Sequence, residues 1–384
     1  MSFFPVRNIG QGCYFLPSPE SRLLIACASR VTSNQAIRQC LRTDLDWERI
    51  LARAVDYGIA SITYCKLKDV GDEQLIATGI MTRLRSLHRR CCVRQINWSA
   101  KLREILRAFS REKIPVIVLK GAALAELVYK GFGLRTMLDV DLLIKKTDLD
   151  AADEVLRRMG YVPDESYQSE KWYRENHHHL APYIAPDRSF VLEVHHHIVP
   201  KGARINLTID DFWQRARAAP VSSIPALFPS PQDLLMSICI HLSARRCFVR
   251  TLRDLTDIAA IISVYGAGLD WDQLVREANI CGAASCLYYS LWLANSVLGA
   301  PLPPGLLTSL KSAARIGRTR DSCLKFLALR AVFLDLLNIP DWFIIDVVSE
   351  FLYSRFVPGA VSVLSKWLRR GNLTRREDVT WQRN

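Results

Sequence analysis

No two of the eleven cysteines in the 384-residue chain stand in a CxxC pair. That absence excludes zinc-ribbon spacing. Scattered as Cys13, Cys40, Cys65, Cys91, Cys92 and Cys239 through mostly apolar helical pattern, the thiols read as buried and free in a reducing compartment, with the cytoplasm as the expected location. The opening MSFFPVRNIGQGCYFLPSPE has no basic start followed by a long apolar run, so secretion is not expected. A long uninterrupted apolar run is also missing. Ala278 to Leu310 carries no charge, but Ser290, Asn295 and Ser296 break it and Pro301, Pro303 and Pro304 end it. The roughly 20 apolar residues a membrane span needs are therefore not available, and a buried core helix is expected instead. There is no internal repeat and no low-complexity tract. Acids are in the minority, 38 against 51 basic residues, for a formal charge of +13. This balance favours an anionic partner such as a nucleotide, a nucleic acid or an acidic surface, without choosing among them.

What is present suffices for a large core: 49% of the residues are hydrophobic, in a chain long enough for two or three domains. DWERILARAVDYG reads as a helix that Asp46 caps and Gly58 ends, with Trp47, Ile50, Leu51 and Ala54 on one stripe. KLREILRAF repeats that stripe through Leu102, Ile105, Leu106 and Phe109. The pattern then changes. IPVIVLK, Ile114 to Lys120, predicts a strand, AALAELVY a helix, LDVDLLI a strand, LDAADEVLRRMGY a helix ending at Gly160, and SFVLEVHHHI, Ser189 to Ile198, a third strand. Pro220 to Pro231 reads as a linker or as an edge strand followed by a loop. Helical stripes resume in QDLLMSICIHL, RDLTDIAAII and WDQLVREA. The expected class is α+β, a small mixed β-sheet flanked by helical regions, with boundaries at 1–110, 111–228 and 229–384.

Two aspartates interrupt the apolar LDVDLLI. On a strand, side chains alternate faces, so Asp139 and Asp141 share one face and Leu138, Val140 and Leu142 the other. Carboxylates that close raise each other's pKa unless a cation intervenes, and a divalent metal resolves the conflict. Magnesium prefers a few carboxylates plus substrate phosphates, and a pair of such ions stabilises attacking and leaving oxygens in phosphoryl or nucleotidyl transfer. Glu193, mid-strand in FVLEVHHHI and on the face of Val191 and His195, is the candidate third acid. Where a strand feeds a helix at Lys120 and Gly121, backbone N–H groups and the helix dipole favour a phosphate, Lys120 adds a positive charge, and Arg135 is a further candidate phosphate ligand. A DxD alone also fits a solvated amphipathic strand; its combination with this turn and a later interior glutamate does not.

Six of the eight histidines fall in two triplets, His177 to His179 and His195 to His197. Such density invites zinc, although the spacing matches no HExxH or finger pattern; a dedicated zinc site, a role beside the nucleotide or second substrate, and a structural or surface role all stay open. His195, on the face of Glu193, is the one expected near a nucleotide. Lys145 and Lys146 read as solvated, and SKWLRRGNLTRRED as a soluble basic tail with nucleic acid or acidic lipid as alternatives. His241, Arg253 and Asp257 are expected to serve helix packing and an exposed ion pair.

KGAALAELVY, LRTMLDVDLLI and LEVHHHI resemble the motifs of the uncharacterised nucleotidyltransferase family within the DNA polymerase beta-like superfamily, and the resemblance extends from DWERILARAVDYG to RDLTDIAAII, over most of residues 45–300. It implies a nucleotidyltransferase core in the middle third. It also implies metal-binding carboxylates at Asp139, Asp141 and Glu193, Mg²⁺ or Mn²⁺ as cofactor, and a nucleoside triphosphate as substrate, held by Lys120, Gly121, Arg135 and His195. Two departures stand out: Gly121-Ala122 where the superfamily has Gly-Gly or Gly-Ser, and a glutamate for its usual third aspartate. The expected activity is transfer of a nucleotide to an acceptor hydroxyl on a small molecule or peptide. The alternative is a catalytically inactive binding protein of the same fold, for a nucleotide, a peptide or a nucleic acid.

Overall fold

A computed structural model describes residues 17–333 except 130, 132, 200–203 and 222–223, together with Val348 and Leu352. The basic tail lies outside the described residues. The expected α+β class is what the structure has: a seven-stranded mixed sheet in the order β3-β4-β5-β2-β1-β7-β6 with helices packed around it. The strands are β1 Ile117–Val118, β2 Val140–Leu143, β3 Val162–Pro163, β4 Tyr183–Ile184, β5 Val191–His195, β6 Arg217–Val221 and β7 Ile224–Phe228. β2 pairs with β5 in parallel and with β1 antiparallel, and β1 pairs with β7 in parallel.

Before the sheet come helices at Pro19–Ala28, Asn34–Leu41, Trp47–Asp56, Ala60–Val70 and Ile80–Arg111. Trp47–Asp56 starts as its sequence predicts, with the Asp46 carboxylate accepting from the Arg49 N–H at 3.0 Å. The KLREILRAF stripe is the last part of the 32-residue helix Ile80–Arg111. Its Leu102, Ile105, Leu106 and Phe109 are buried in the main core. After the sheet, Pro231–Ile240, Leu252–Tyr265, Trp271–Ile280, Ala284–Leu298, Leu306–Ala313 and Arg318–Phe333 are helical. Ala284–Leu298 is the buried core helix expected of the uncharged stretch. Among the described residues no helix is long and apolar enough to cross a membrane, and the ten described cysteines are free.

The two sheet faces differ. Val118, Val140, Leu142, Leu192 and Val194 point into the main core, whereas Ile117, Leu119 and Leu143 join Phe212 in a small separate cluster. Strand alternation puts Asp141 on the second face with Leu143. The predicted strands were too long at their ends: only Ile117–Val118 of 114–120, Val140–Leu143 of 138–144 and Val191–His195 of 189–198 are paired as strands. Beyond those bounds single backbone bonds persist, such as Leu119 N–H to the Asp141 carbonyl at 2.9 Å and Ile144 N–H to the His195 carbonyl at 2.8 Å, without extending the paired ladder. The proline-rich segment is neither a linker nor an edge strand with a trailing loop. β6 is an edge strand, but residues 224–228 return as β7 and pair with β1, Pro220 facing Pro225 across the hairpin.

Arg135 and Asp257 tie the C-terminal helices to the loop before β2. The Arg135 Nε lies 2.9 and 3.1 Å from the two Asp257 oxygens and Nη2 lies 2.8 Å from Oδ2. Tyr129 donates its hydroxyl proton to the same carboxylate at 2.6 Å. Asp257 was expected in an exposed pair; it is fully buried, because its partner comes from 122 residues away rather than from its own helix. Replacing Asp257 by Ala strands a buried guanidinium, which should cost about 3–5 kcal/mol in urea unfolding, while Arg135→Met with Asp257→Leu should recover most of that loss.

Candidate active site

The site is built on the parallel register of β2 and β5, which sets Asp141 beside Glu193. Neighbouring strands run about 4.8 Å apart, so the two side chains leave the same face as near neighbours. Asp141 is 1% exposed. Both acids lie on the face carrying only the small cluster, so their carboxylates escape the main core. Asp139, one step before β2 begins, is half-buried and outside the paired strand.

Lys120 and His195 meet these acids. Lys120 Nζ lies 2.6 Å from Asp141 Oδ1. His195 Nε2 lies 2.9 Å from the same oxygen and 3.2 Å from Glu193 Oε2. The expected mutual elevation of carboxylate pKa values is confined to Asp139, which burial and then Asp141 and Glu193 push up to about 6. Burial would also raise Asp141, but Lys120 and the hydrogen bond from His195 outweigh it and hold the acid below its ordinary value. Glu193 is likewise raised by burial, yet the His195 hydrogen bond, Lys120 and His179 bring it well below the usual range. The cations respond in kind. Burial disfavours the Lys120 charge and Asp141, Glu193 and Asp139 overcome it, raising its pKa. Burial and Lys120 oppose a proton on His195, and its hydrogen bonds to Asp141 and Glu193 prevail.

Local backbone explains how Lys120 reaches Asp141. It opens the short helix Lys120–Leu124 with a φ of +41°, a left-handed conformation costly for a side chain with a Cβ. Gly121 follows because a Cβ there would lie 3.0 Å from Met137 Cγ and 3.3 Å from Arg135 Nη1. The glycine thus admits the β2 approach loop against the turn. Arg135 itself does not join Lys120 in the site: its guanidinium is committed to Asp257 and to the Thr136 carbonyl at 2.5 Å.

The structure therefore brings Lys120, Asp141, Glu193 and His195 into direct contact, with Asp139 coupled to them electrostatically and Arg135 packed behind Gly121. Three further residues come near the site, of which His241 and Arg253 were expected to serve helix packing and an ion pair. His241, at the end of Pro231–Ile240, is close enough for Lys120 and Asp141 to act on it, and burial followed by Lys120 pushes its pKa down to about 3. Arg253 bears on Asp139. His179 Nε2 lies 3.9 Å from Glu193 Oε2. The available signals were His241 near the end of the mostly apolar LLMSICIHL and the His177–His179 triplet; Arg253 depends on tertiary approach.

Asp141, Glu193 and His195 offer ligand atoms within 4.8 Å of one another, with no other acid in that group. This donor set suits a divalent cation: two anionic carboxylates, and an Asp139 raised by them that a further positive charge would relieve. Because its folded pKa lies above the ordinary 3.8, Asp139 contributes stability below that value and loses it as pH rises through about 6. Asp139→Asn should accordingly stabilise the metal-free protein by on the order of 1 kcal/mol at pH 8, a gain that shrinks at pH 5, as read by thermal melting at both pH values.

Residues 43–299 match a family described as uncharacterised nucleotidyltransferase. No curated protein matches the chain. Among solved structures, an antigenic nucleotidyltransferase-like protein from Paracoccidioides brasiliensis is similar over 56% of this chain and 95% of its own, at 14% identity and a TM-score of 0.31.

Proposed function

The chain belongs to the uncharacterised nucleotidyltransferase family, and from that premise we propose that it moves a nucleoside monophosphate from a nucleoside triphosphate to an acceptor hydroxyl, releasing pyrophosphate. The observation that carries this reading is the placement of Asp141 beside Glu193 with Lys120 reaching them from a strand-to-helix turn. Asp139, Asp141 and Glu193 would hold Mg²⁺ or Mn²⁺. A cation held there would supply charge neutralisation for the phosphates.

The chain's own residues divide the remaining work. Glu193, held well below the ordinary carboxylate range, stays anionic and is a weak base, so it serves better as a ligand than as the group that takes the acceptor's proton. Lys120 exchanges its bond to Asp141 for a triphosphate oxygen, keeping its full charge. Gly121 lets that turn sit close to the phosphates, and Arg135, through Met137 and Gly121, positions the turn rather than touching nucleotide. His195 holds a proton at Nε2 between Asp141 and Glu193. That proton competes with a cation for the same oxygens.

A non-catalytic, nucleotide-binding reading draws on the same contact, since Lys120 and His195 already satisfy Asp141 without any metal. Pyrophosphate release separates the two readings. Asp139→Ala with Asp141→Ala should abolish magnesium-dependent pyrophosphate formation; unchanged turnover in that variant would sink the transferase assignment. A second expectation follows from His195 and Asp139, whose pKa values are both raised. As pH falls toward 6 the competing protons are retained, so the magnesium concentration for half-maximal rate should climb several-fold below neutrality and level off at alkaline pH. A magnesium requirement flat across that range would remove the competition.

A further inference from the structure

We propose that His177, His178 and His179 bind one divalent transition-metal ion of the imidazole-preferring class, Zn²⁺ being the representative, at a site distinct from the Asp139–Asp141 pair. Each of the three offers a ring nitrogen, and these nitrogens lie within 4.8 Å of one another. The ring centroids stand 4.0 to 5.0 Å apart. Three imidazoles held together suit zinc and its neighbours and do not suit magnesium, which takes oxygen donors.

The segment is preorganised. It leaves the helix Glu170–Asn176 and is pinned to the other triplet by the bridge between His179 and His195. The His178 carbonyl accepts from the backbone N–H groups of both His196 and His197, at 3.0 and 3.2 Å, and the Leu180 N–H donates to the Val194 carbonyl at 2.9 Å. Backbone bonding therefore accounts for the loop's position without using the His177 and His178 rings.

The ring nitrogens are what remains unexplained. His177 Nδ1 and His178 Nδ1 are buried with no hydrogen-bond partner, and His178 is 6% exposed. His179 Nδ1 lies 2.6 Å from the Leu180 carbonyl, a contact that requires the proton on Nδ1. Its Nε2 is then a bare lone pair, and it faces Glu193 Oε2 at 3.9 Å. Two acceptors confront each other with no hydrogen between them, an arrangement that a cation completes. A backbone carbonyl bonded to the far ring nitrogen is also what orients ligating histidines. Tyr173, with its ring 5.5 Å from His177 and 5.6 Å from His179, closes one side. Glu193, 3.9 Å from His179 Nε2, is an anionic neighbour that would offset the ion's charge, whereas the positive charge of Arg245 acts on His177 and His178 in the opposite sense. The inference does not rest on nucleotidyl transfer.

Cobalt is the probe, titrated into the full chain carrying no histidine tag. With excess Mg²⁺ present to fill the carboxylate site, the parent and the Asp139→Asn/Asp141→Asn variant should each bind one equivalent of Co²⁺, with visible ligand-field absorption that Zn²⁺ removes. His177→Ala/His179→Ala should weaken that binding by at least about 100-fold, more than outer-sphere partners of a metal site typically cost. Cobalt binding unchanged in the histidine variant, lost in the aspartate variant, absent in the parent, or accompanied by a thiolate charge-transfer band would overturn the proposal. Should the histidine variant fail to fold, proton NMR of the cobalt-loaded parent decides. Paramagnetically shifted imidazole N–H resonances support the site, and their absence refutes it.

Discussion

The parallel register that sets Asp141 against Glu193 is the constraint the rest of the molecule serves. Two carboxylates beside each other at the middle of a sheet are unstable unless positive charge is brought to them. The chain meets that demand twice, with Lys120 from the neighbouring β1 end and His195 two residues beyond Glu193 on the same face. Each answer has a structural consequence. Lys120 reaches its partner from a left-handed backbone conformation, and His195 keeps a buried Nδ1 with no partner. Both features cost stability in a purely structural protein, and they cluster around one pair of acids.

Support for that cluster comes from far along the chain. Asp257, on the helix Leu252–Tyr265, fastens Arg135, and Arg135 with Met137 packs against Gly121 beside Lys120. Arg253 and His241 from the same C-terminal helices sit near enough to act on Asp139, Lys120 and Asp141. The C-terminal helices are therefore part of the site's scaffold. This agrees with a family match that runs through residue 299 rather than stopping where the sheet ends.

How much of this the sequence discloses depends on the range of the interaction. Alternation along LDVDLLI is local, so Asp141 was legible as an acid on one strand face and Glu193, mid-strand in FVLEVHHHI, as its companion, whereas Asp139, expected to share that face, lies one step outside the paired strand. Strand ends were not, since Ile198 looks as strand-like as residues inside the paired strand. The β6–β7 hairpin was obscured by prolines, which forfeit a donor but are tolerated where Pro220 and Pro225 face one another. Arg135 carries a charge that reads equally well as a phosphate ligand or as half of an ion pair; only the approach of Asp257 distinguishes these. The gathering of His177, His178 and His179 beside His195 likewise needs a bridge between segments sixteen residues apart in sequence.

The central claim is that the phosphorus attacked is the one bonded to the nucleoside, and it can be read directly. The full chain is incubated with Mg²⁺, a cell extract as the source of acceptor, and each nucleoside triphosphate labelled with ³²P at either the α or the γ position. Transfer of α label to a new product, with γ label recovered in pyrophosphate, is the predicted result. Transfer of γ label to the product, or release of γ label as inorganic phosphate with no α transfer, would contradict it.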